Sequence, residues 1–126
     1  MSEKRAALGK KGEDLAVRYL QEKGYTLLLR NYRRKLGEID IIAKEGQTLV
    51  FVEVKTRQTG ASYFPAEAVT PRKQGQISRT AQEYLIHHNL LNKPARFDVI
   101  SISMSSHGIP TIHHIPNAFD LAHDDC

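Results

Sequence analysis

Between Thr48 and Thr56 the chain reads TLVFVEVKT, a run of Val, Phe and Thr without Gly or Pro, and this predicts a β-strand. Alternation places Val50, Val52 and Val54 on one face and Leu49, Phe51, Glu53 and Lys55 on the other. Two similar runs precede it, YTLLLRNYR (Tyr25–Arg33) and GEIDIIAKEG (Gly37–Gly46). Three consecutive strands joined by short Gly-containing turns predict an antiparallel meander. Upstream the apolar period changes to that of a helix, from Glu3 to Lys23, with Gly24 as its C-cap. Leu8, Gly12, Leu15, Ala16, Val17, Tyr19 and Leu20 fall on one arc of it, and Lys10, Lys11, Asp14, Arg18, Gln21 and Glu22 lie opposite. Downstream, Thr70–Pro71 supplies an N-cap hydroxyl followed by Pro at the first helical position. The helix it opens should run to about Asn89 and bury Ile77, Ala81, Tyr84 and Leu85. Ala95–Ser103 predicts a fourth strand, and Gly108–Ile115 a weaker edge strand interrupted by Pro110.

The resulting order, α-β-β-β-α-β-β, predicts an α/β fold with one central mixed sheet flanked by helices. The passage from the third strand through the second helix is long enough to return the fourth strand parallel to the third. No repeat or linker divides the chain. One domain over residues 1–116 is expected, with a flexible tail over 117–126. The connection RQTGASYFPAEAV is long enough to be a functional loop.

Four charged residues break the apolar pattern. Glu53 and Lys55 sit in the middle of the most β-prone run. Asp40 lies in the middle of the second strand, where alternation pairs it with Glu38 and Ile42 against Ile39, Ile41 and Ala43. Glu13 projects between Val17 and Leu20 inside the apolar arc of the first helix. If the turn at Glu45–Gly46–Gln47 is symmetric, strand positions summing to about 93 face each other, which sets Asp40 opposite Glu53. Opposed residues have Cβ atoms about 4.5–5.5 Å apart, and two carboxylates that close need a shared proton or a cation. A divalent metal answers this need, because Mg²⁺ takes hard oxygen ligands from one or two carboxylates. Lys55 would then orient a water or offset phosphate charge, and Glu13 would complete the cluster if its helix packs over the same face. The competing reading is an exposed Glu53–Lys55 ion pair, with Asp40 meeting Arg33 from the neighbouring strand.

Composition narrows the partners. The chain has 126 residues, 40% hydrophobic and 25% charged, with a net charge of +4. That length supports a core without disulfides, and the single Cys126 allows no internal bridge. With no apolar leader and no membrane-length run, a cytoplasmic, non-membrane protein is expected. Residues 1–36 hold ten Lys/Arg against four Asp/Glu, a balance of +6, while the remainder balances to −2. Such asymmetry fits a polyanion, nucleic acid first. Charge does not separate DNA from RNA; DNA is the partner expected ahead of RNA. The expected contacts are Arg33, Arg34 and Lys35 in the turn RNYRRK, Arg57 after the third strand, and Arg72 and Lys73. The last two stand in the first turn of a helix, where cations oppose its dipole, so a phosphate or an acid partner explains them better than helix stability. Tyr63 and Phe64 suit stacking on unpaired bases or a subunit interface. His113 and His114 are adjacent on a strand and point to opposite faces, so they do not chelate one metal together.

At this point the residues resemble a known superfamily. Asp40, twelve intervening residues, then Glu53-Val54-Lys55 resembles the D…E-x-K signature of the PD-(D/E)XK, or restriction-endonuclease-like, nucleases. The blocks KGEDLAVRYLQEKGY, NYRRKLGEIDIIAKEG, LVFVEVKTR, AVTPRKQGQISRTAQEYL and RFDVISI are similar to the YraN family of small bacterial proteins. The resemblance covers about residues 8–103. It implies an αβββαβ core and divalent-metal-dependent cleavage of nucleic acid, with Mg²⁺ or Mn²⁺ as cofactor. It also implies Asp40 and Glu53 as metal ligands, the Val54 carbonyl as a further ligand, Lys55 as the residue that positions water, and Glu13 as the helix-one acid found in archaeal Holliday-junction resolvases. Ile39 stands where the superfamily commonly has Pro. A branched or structured substrate is expected, with a homodimer if that substrate is a four-way junction. The alternative is a module of the same fold that binds nucleic acid without cutting it.

Overall fold

The structure, a computed structural model, describes residues 2–58, 69–104 and 108–121. Helix α1 (Ser2–Glu22) is followed by strands β1 (Thr26–Arg34), β2 (Gly37–Glu45) and β3 (Thr48–Gln58). Helix α2 (Pro71–His87) and strands β4 (Ala95–Met104) and β5 (Thr111–Phe119) complete the order. The strands form one sheet in the sequence order β1-β2-β3-β4-β5. Only β3 and β4 run parallel; the other neighbours are antiparallel. This is the expected mixed sheet, with α2 as the crossover between its parallel strands. No helix among the described residues is long and apolar enough to cross a membrane.

The ends of the helices follow from local chemistry. Gly24 adopts a φ of 97°, and the amides of Gly24 and Tyr25 bond back to Gln21 and Leu20 at 3.0 and 2.9 Å. This pair of hydrogen bonds around a left-handed residue is the Schellman stop, which glycine makes at no steric cost. At the start of α2 the Thr70 hydroxyl accepts the Lys73 N–H at 3.2 Å, with Pro71 at the first helical position.

The helices cover opposite faces. Under α1, Ala16, Val17 and Leu20 pack on Ile41, Ala43, Val50, Val52, Ile100 and Ile102. Under α2, Ile77, Ala81, Tyr84 and Leu85 pack on Ile42, Leu49, Phe51, Phe97 and Val99. The alternation expected for β3 therefore holds, and it corrects one expectation. Helix α1 lies over the valine face, not over the face of Glu53 and Lys55, which belongs to α2. Gly12 explains how close α1 comes to the sheet, since a Cβ there would collide with the Thr56 side chain on β3.

Two further expectations are corrected. Ile39 and Ile41 do not share a face: Ile39 joins the α2 cluster and Ile41 the α1 cluster. The break falls at Asp40. Between the β1–β2 pairs Arg30–Ile41 and Tyr32–Ile39 lies Asn31, whose left-handed φ of 53° disturbs the regular pleat. The last strand runs from Thr111 through Pro116 to Phe119, where Gly108–Ile115 was expected, and so enters the segment expected to be a tail from residue 117. Proline is tolerated because β5 is an edge strand. Phe119 stacks on Phe97 with centroids 5.0 Å apart, and the Asn117 amide donates to Asp98 at 2.9 Å, which ties the extension down.

Candidate active site

The β2–β3 hairpin sets the site. Its ladder runs from Glu45–Thr48 to Ile41–Val52, the register summing to 93 that the turn predicts. Beyond that last pair, Asp40 and Glu53 are the next two residues. The Asp40 carboxylate closes the ladder itself, accepting the Val54 N–H at 2.8 Å. Val54 thus offers its amide to Asp40 within the ladder's end, and its carbonyl belongs to the same stretch of backbone.

Glu53 is 5% exposed, so the reading of Glu53–Lys55 as a wetted surface pair does not hold. A buried carboxylate demands counter-charge, and two ammonium groups supply it. Lys55 Nζ lies 3.5 Å and Lys73 Nζ 3.8 Å from the same oxygen, Oε2. Lys55 reaches it from two positions along β3, and Lys73 from the first turn of α2. The acid partner anticipated for Lys73 is therefore Glu53.

Asp40 has no such partner among the described residues. Its acidity is pushed well down, with a pKa raised to about 8, first by burial and then by the negative charge of Glu53, with smaller contributions from Glu13 and Glu38. The Val54 N–H opposes the shift without reversing it. Arg33 does not relieve it, because Arg33 pairs with Glu38 at 3.3 Å.

Glu13 arrives from the other side of the sheet. It shares a cleft of about 380 Å³ with Asp40, Val54, Thr56, Leu8 and Gly9. Gly12, by letting α1 settle on Thr56, brings this acid over the end of β2. Arg30 of β1 holds Glu13 at 3.4 Å and Asp14 at 2.7 Å, and its exposed neighbour Lys10 meets Asp14 at 3.4 Å. Arg30 was not anticipated from sequence; only its position on the strand beside the helix reveals it. Among the described residues no three Asp, Glu, His or Cys side chains stand together as a ligand set. Glu13 therefore adds charge near Asp40 without forming one ligand group with Asp40 and Glu53.

The remaining expected contacts divide. Arg33, Arg34 and Lys35 line one surface depression with Glu83, and Arg34 packs over the Tyr32 ring at 5.3 Å. Arg33 also borders the depression that contains Glu13 and Arg30, so the basic hairpin and the acidic cleft are contiguous. Arg72 is exposed in the first turn of α2, and Arg57 is half-buried on β3. Tyr63, Phe64, His107, His123 and Cys126 lie outside the described residues. His113 and His114 point apart as expected: His113 is exposed, whereas His114 Nε2 donates to Asp98 at 2.7 Å.

Asp98 is a second charged residue that sequence reading passed over. It is fully buried and accepts from Arg96 Nε and the Asn117 N–H, each at 2.9 Å, as well as from His114. Arg96 continues to Glu45 and to the Tyr25 hydroxyl, both at 2.8 Å, and His114 Nδ1 meets the Tyr19 hydroxyl at 3.1 Å. Its signal in the sequence was the one acid in RFDVISI, a strand otherwise destined for the core.

The donor set beside β3 suits a hard divalent cation. Asp40, short of counter-charge and under the influence of the Glu53 charge, offers the kind of hard oxygen ligand that such an ion takes, with water and backbone oxygens able to complete its shell.

Comparison with known proteins places the chain in a family. Residues 12–102 match the family described as "Uncharacterised protein family UPF0102". A UPF0102 protein of Geobacter metallireducens is 53% identical over 123 residues, covering 98% of this chain and 100% of that protein. Relatives from Geotalea uraniireducens and Persephonella marina are 50% and 45% identical, covering 93% and 90% of this chain and 92% and 93% of their own lengths. The chain belongs to the UPF0102 (YraN) family, which sits in the restriction-endonuclease-like superfamily.

Proposed function

We propose that the protein is a divalent-metal-dependent endonuclease acting on branched or structured nucleic acid. One observation carries the reading: Asp40 and Glu53 follow the last pair of the β2–β3 ladder, near enough that the charge of Glu53 opposes ionisation of Asp40, with Lys55 on the Glu53 carboxylate. An acid whose ionisation is opposed by burial and by a neighbouring acid is costly to keep unless a cation uses it. Asp40, Glu53 and the Val54 carbonyl would hold Mg²⁺ or Mn²⁺, which lowers the pKa of water and neutralises charge on a phosphodiester. Lys55, held on the Glu53 carboxylate, would orient the attacking water and offset the charge that develops on the phosphorus oxygens. Hydrolysis adds that water across the P–O bond, and the leaving oxygen departs with a proton. Arg33, Arg34 and Lys35 would carry the flanking backbone, since their surface runs into the cleft. Arg57 on β3 and Arg72 on α2 would add further phosphate contacts. One such site cuts one strand per encounter, so symmetric cleavage of a junction needs two copies.

The second reading, a binding module without turnover, draws on one observation. Glu53 and Glu13 are already neutralised, by Lys55 with Lys73 and by Arg30. Labelled duplex, flap, four-way-junction and structured RNA substrates, incubated with Mg²⁺ or Mn²⁺, separate the two readings. Cleavage by wild type that is lost in Glu53→Ala, with binding retained, supports the nuclease. Binding without cleavage under both metals supports the module.

A further inference from the structure

Glu53 carries one more ammonium group than a metal-positioning site requires. Lys55 belongs to the same strand two residues on, so its proximity is dictated by the pleat. Lys73 comes from another element. Its position in the first turn of α2 sets its charge against the positive end of that helix, a local disadvantage that the buried acid offsets. It makes the longer of the two contacts, at 3.8 Å against 3.5 Å, and its side chain is the more exposed, at 38% against 31%. Both ammonium groups converge on Oε2, and a divalent cation on Glu53 would stand among them. Three positive centres cannot share one carboxylate without strong mutual repulsion. The group free to leave is the one with the longer contact and the more solvated side chain, Lys73 of α2.

We propose that Lys73 is an exchangeable counter-ion: it holds Glu53 while the carboxylate lacks a divalent cation and passes to a substrate phosphate when the cation is bound. This rests on the nuclease reading above and adds a coupling to it. Cation and nucleic acid would then strengthen each other's binding through one side chain, and such coupling is reciprocal. Lys73 is thereby a positioning residue for substrate and a competitor for metal.

The test compares wild type, Lys73→Gln and Lys73→Arg in two titrations, after circular dichroism has shown equal folding. Mn²⁺ binding is followed by electron paramagnetic resonance without nucleic acid. Binding of a fluorescein-labelled four-way DNA junction is followed by anisotropy with and without Ca²⁺, with gels of the same samples to register any cleavage. Coupling energies of this kind correspond to factors of about 5–150. Lys73→Gln is expected to bind Mn²⁺ about tenfold more tightly than wild type, and to lose most of the gain in junction affinity that Ca²⁺ gives wild type. Lys73→Arg should restore that gain. Unchanged or weaker Mn²⁺ binding by Lys73→Gln, or an undiminished Ca²⁺ effect on its junction affinity, overturns the proposal while leaving the nuclease reading standing. A wild type that binds no junction in either condition overturns both.

Discussion

Asp98 and Asp40 are both acids on sheet strands, and burial acts on them in opposite company. Asp98 is the deeper, with none of its surface exposed. Burial pushes its carboxyl upward, yet the hydrogen bonds from His114, Arg96 and the Asn117 amide outweigh that and hold it below the usual carboxylate range. Asp40 is less deep and receives one backbone N–H, while its nearest charged neighbours are acids. Depth alone therefore does not decide the state of a buried acid; the partners do. A carboxylate whose bonds are saturated works as a fastener. Asp98 ties β5 to β4 and, through His114 and Tyr19, to α1. A carboxylate left short of counter-charge is a candidate functional site, because its charge is unused by the fold.

The comparison can be broken most severely at the chemistry. Asp40→Ala or Glu53→Ala should lower cleavage by at least about a hundredfold, read as single-turnover rates on a flap or junction substrate. Asp98→Ala should have its effect on folding. Removing one partner from a buried charged network costs about 3–5 kcal/mol, measured by urea denaturation, and the loss should be similar with and without Mg²⁺.

Asp40→Asn sharpens the contrast because its sign is opposite. The native protein binds the Asp40 proton more tightly than the unfolded chain, whose carboxyl titrates near 4. Between about pH 4 and about 8 the folded state holds the extra proton, so metal-free stability from this group is present at low pH and falls as pH rises through that window. An amide keeps an oxygen for the Val54 N–H and removes the titration. Asp40→Asn should therefore stabilise the metal-free protein by about 1–3 kcal/mol at pH 8 and by almost nothing at pH 4.5. Thermal melts at both pH values check this. Equal shifts at both pH values would show that Asp40 is not the strained partner.

The smallest effect belongs to the basic hairpin. Alanine at Arg33, Arg34 or Lys35 should weaken nucleic-acid binding across sequences alike and reduce the slope of log affinity against log salt by about 1 per phosphate that the side chain neutralises. Anisotropy titrations between low and physiological salt measure it. A hairpin variant with an unchanged slope would detach that surface from the cleft.

Much of the molecule is legible in its sequence. Periodicity locates both helices and five strands, and the turn at Gly46 is enough to give the register that brings Asp40 level with Glu53. The Glu53–Lys55 face is legible for the same reason: β alternation is a local rule with period two. The end of β5 is not legible, because Pro116 argues against a strand and only its edge position and the Phe97–Phe119 stack permit it.

What the sequence by itself determined is therefore local: element type, turn chemistry, the pairing of neighbouring strands, and the presence of acids where apolar residues were due. What only the tertiary structure decided is which helix covers which face. That choice separates Glu13 from Glu53 across the sheet, gives Glu53 the Lys73 ammonium from α2, and supplies Asp98 with Arg96 and His114. The physical reason is range. Hydrophobic period and backbone geometry act within a few residues, whereas the charge balance of a buried acid depends on groups from distant parts of the chain, and those are fixed only when both sheet faces are packed.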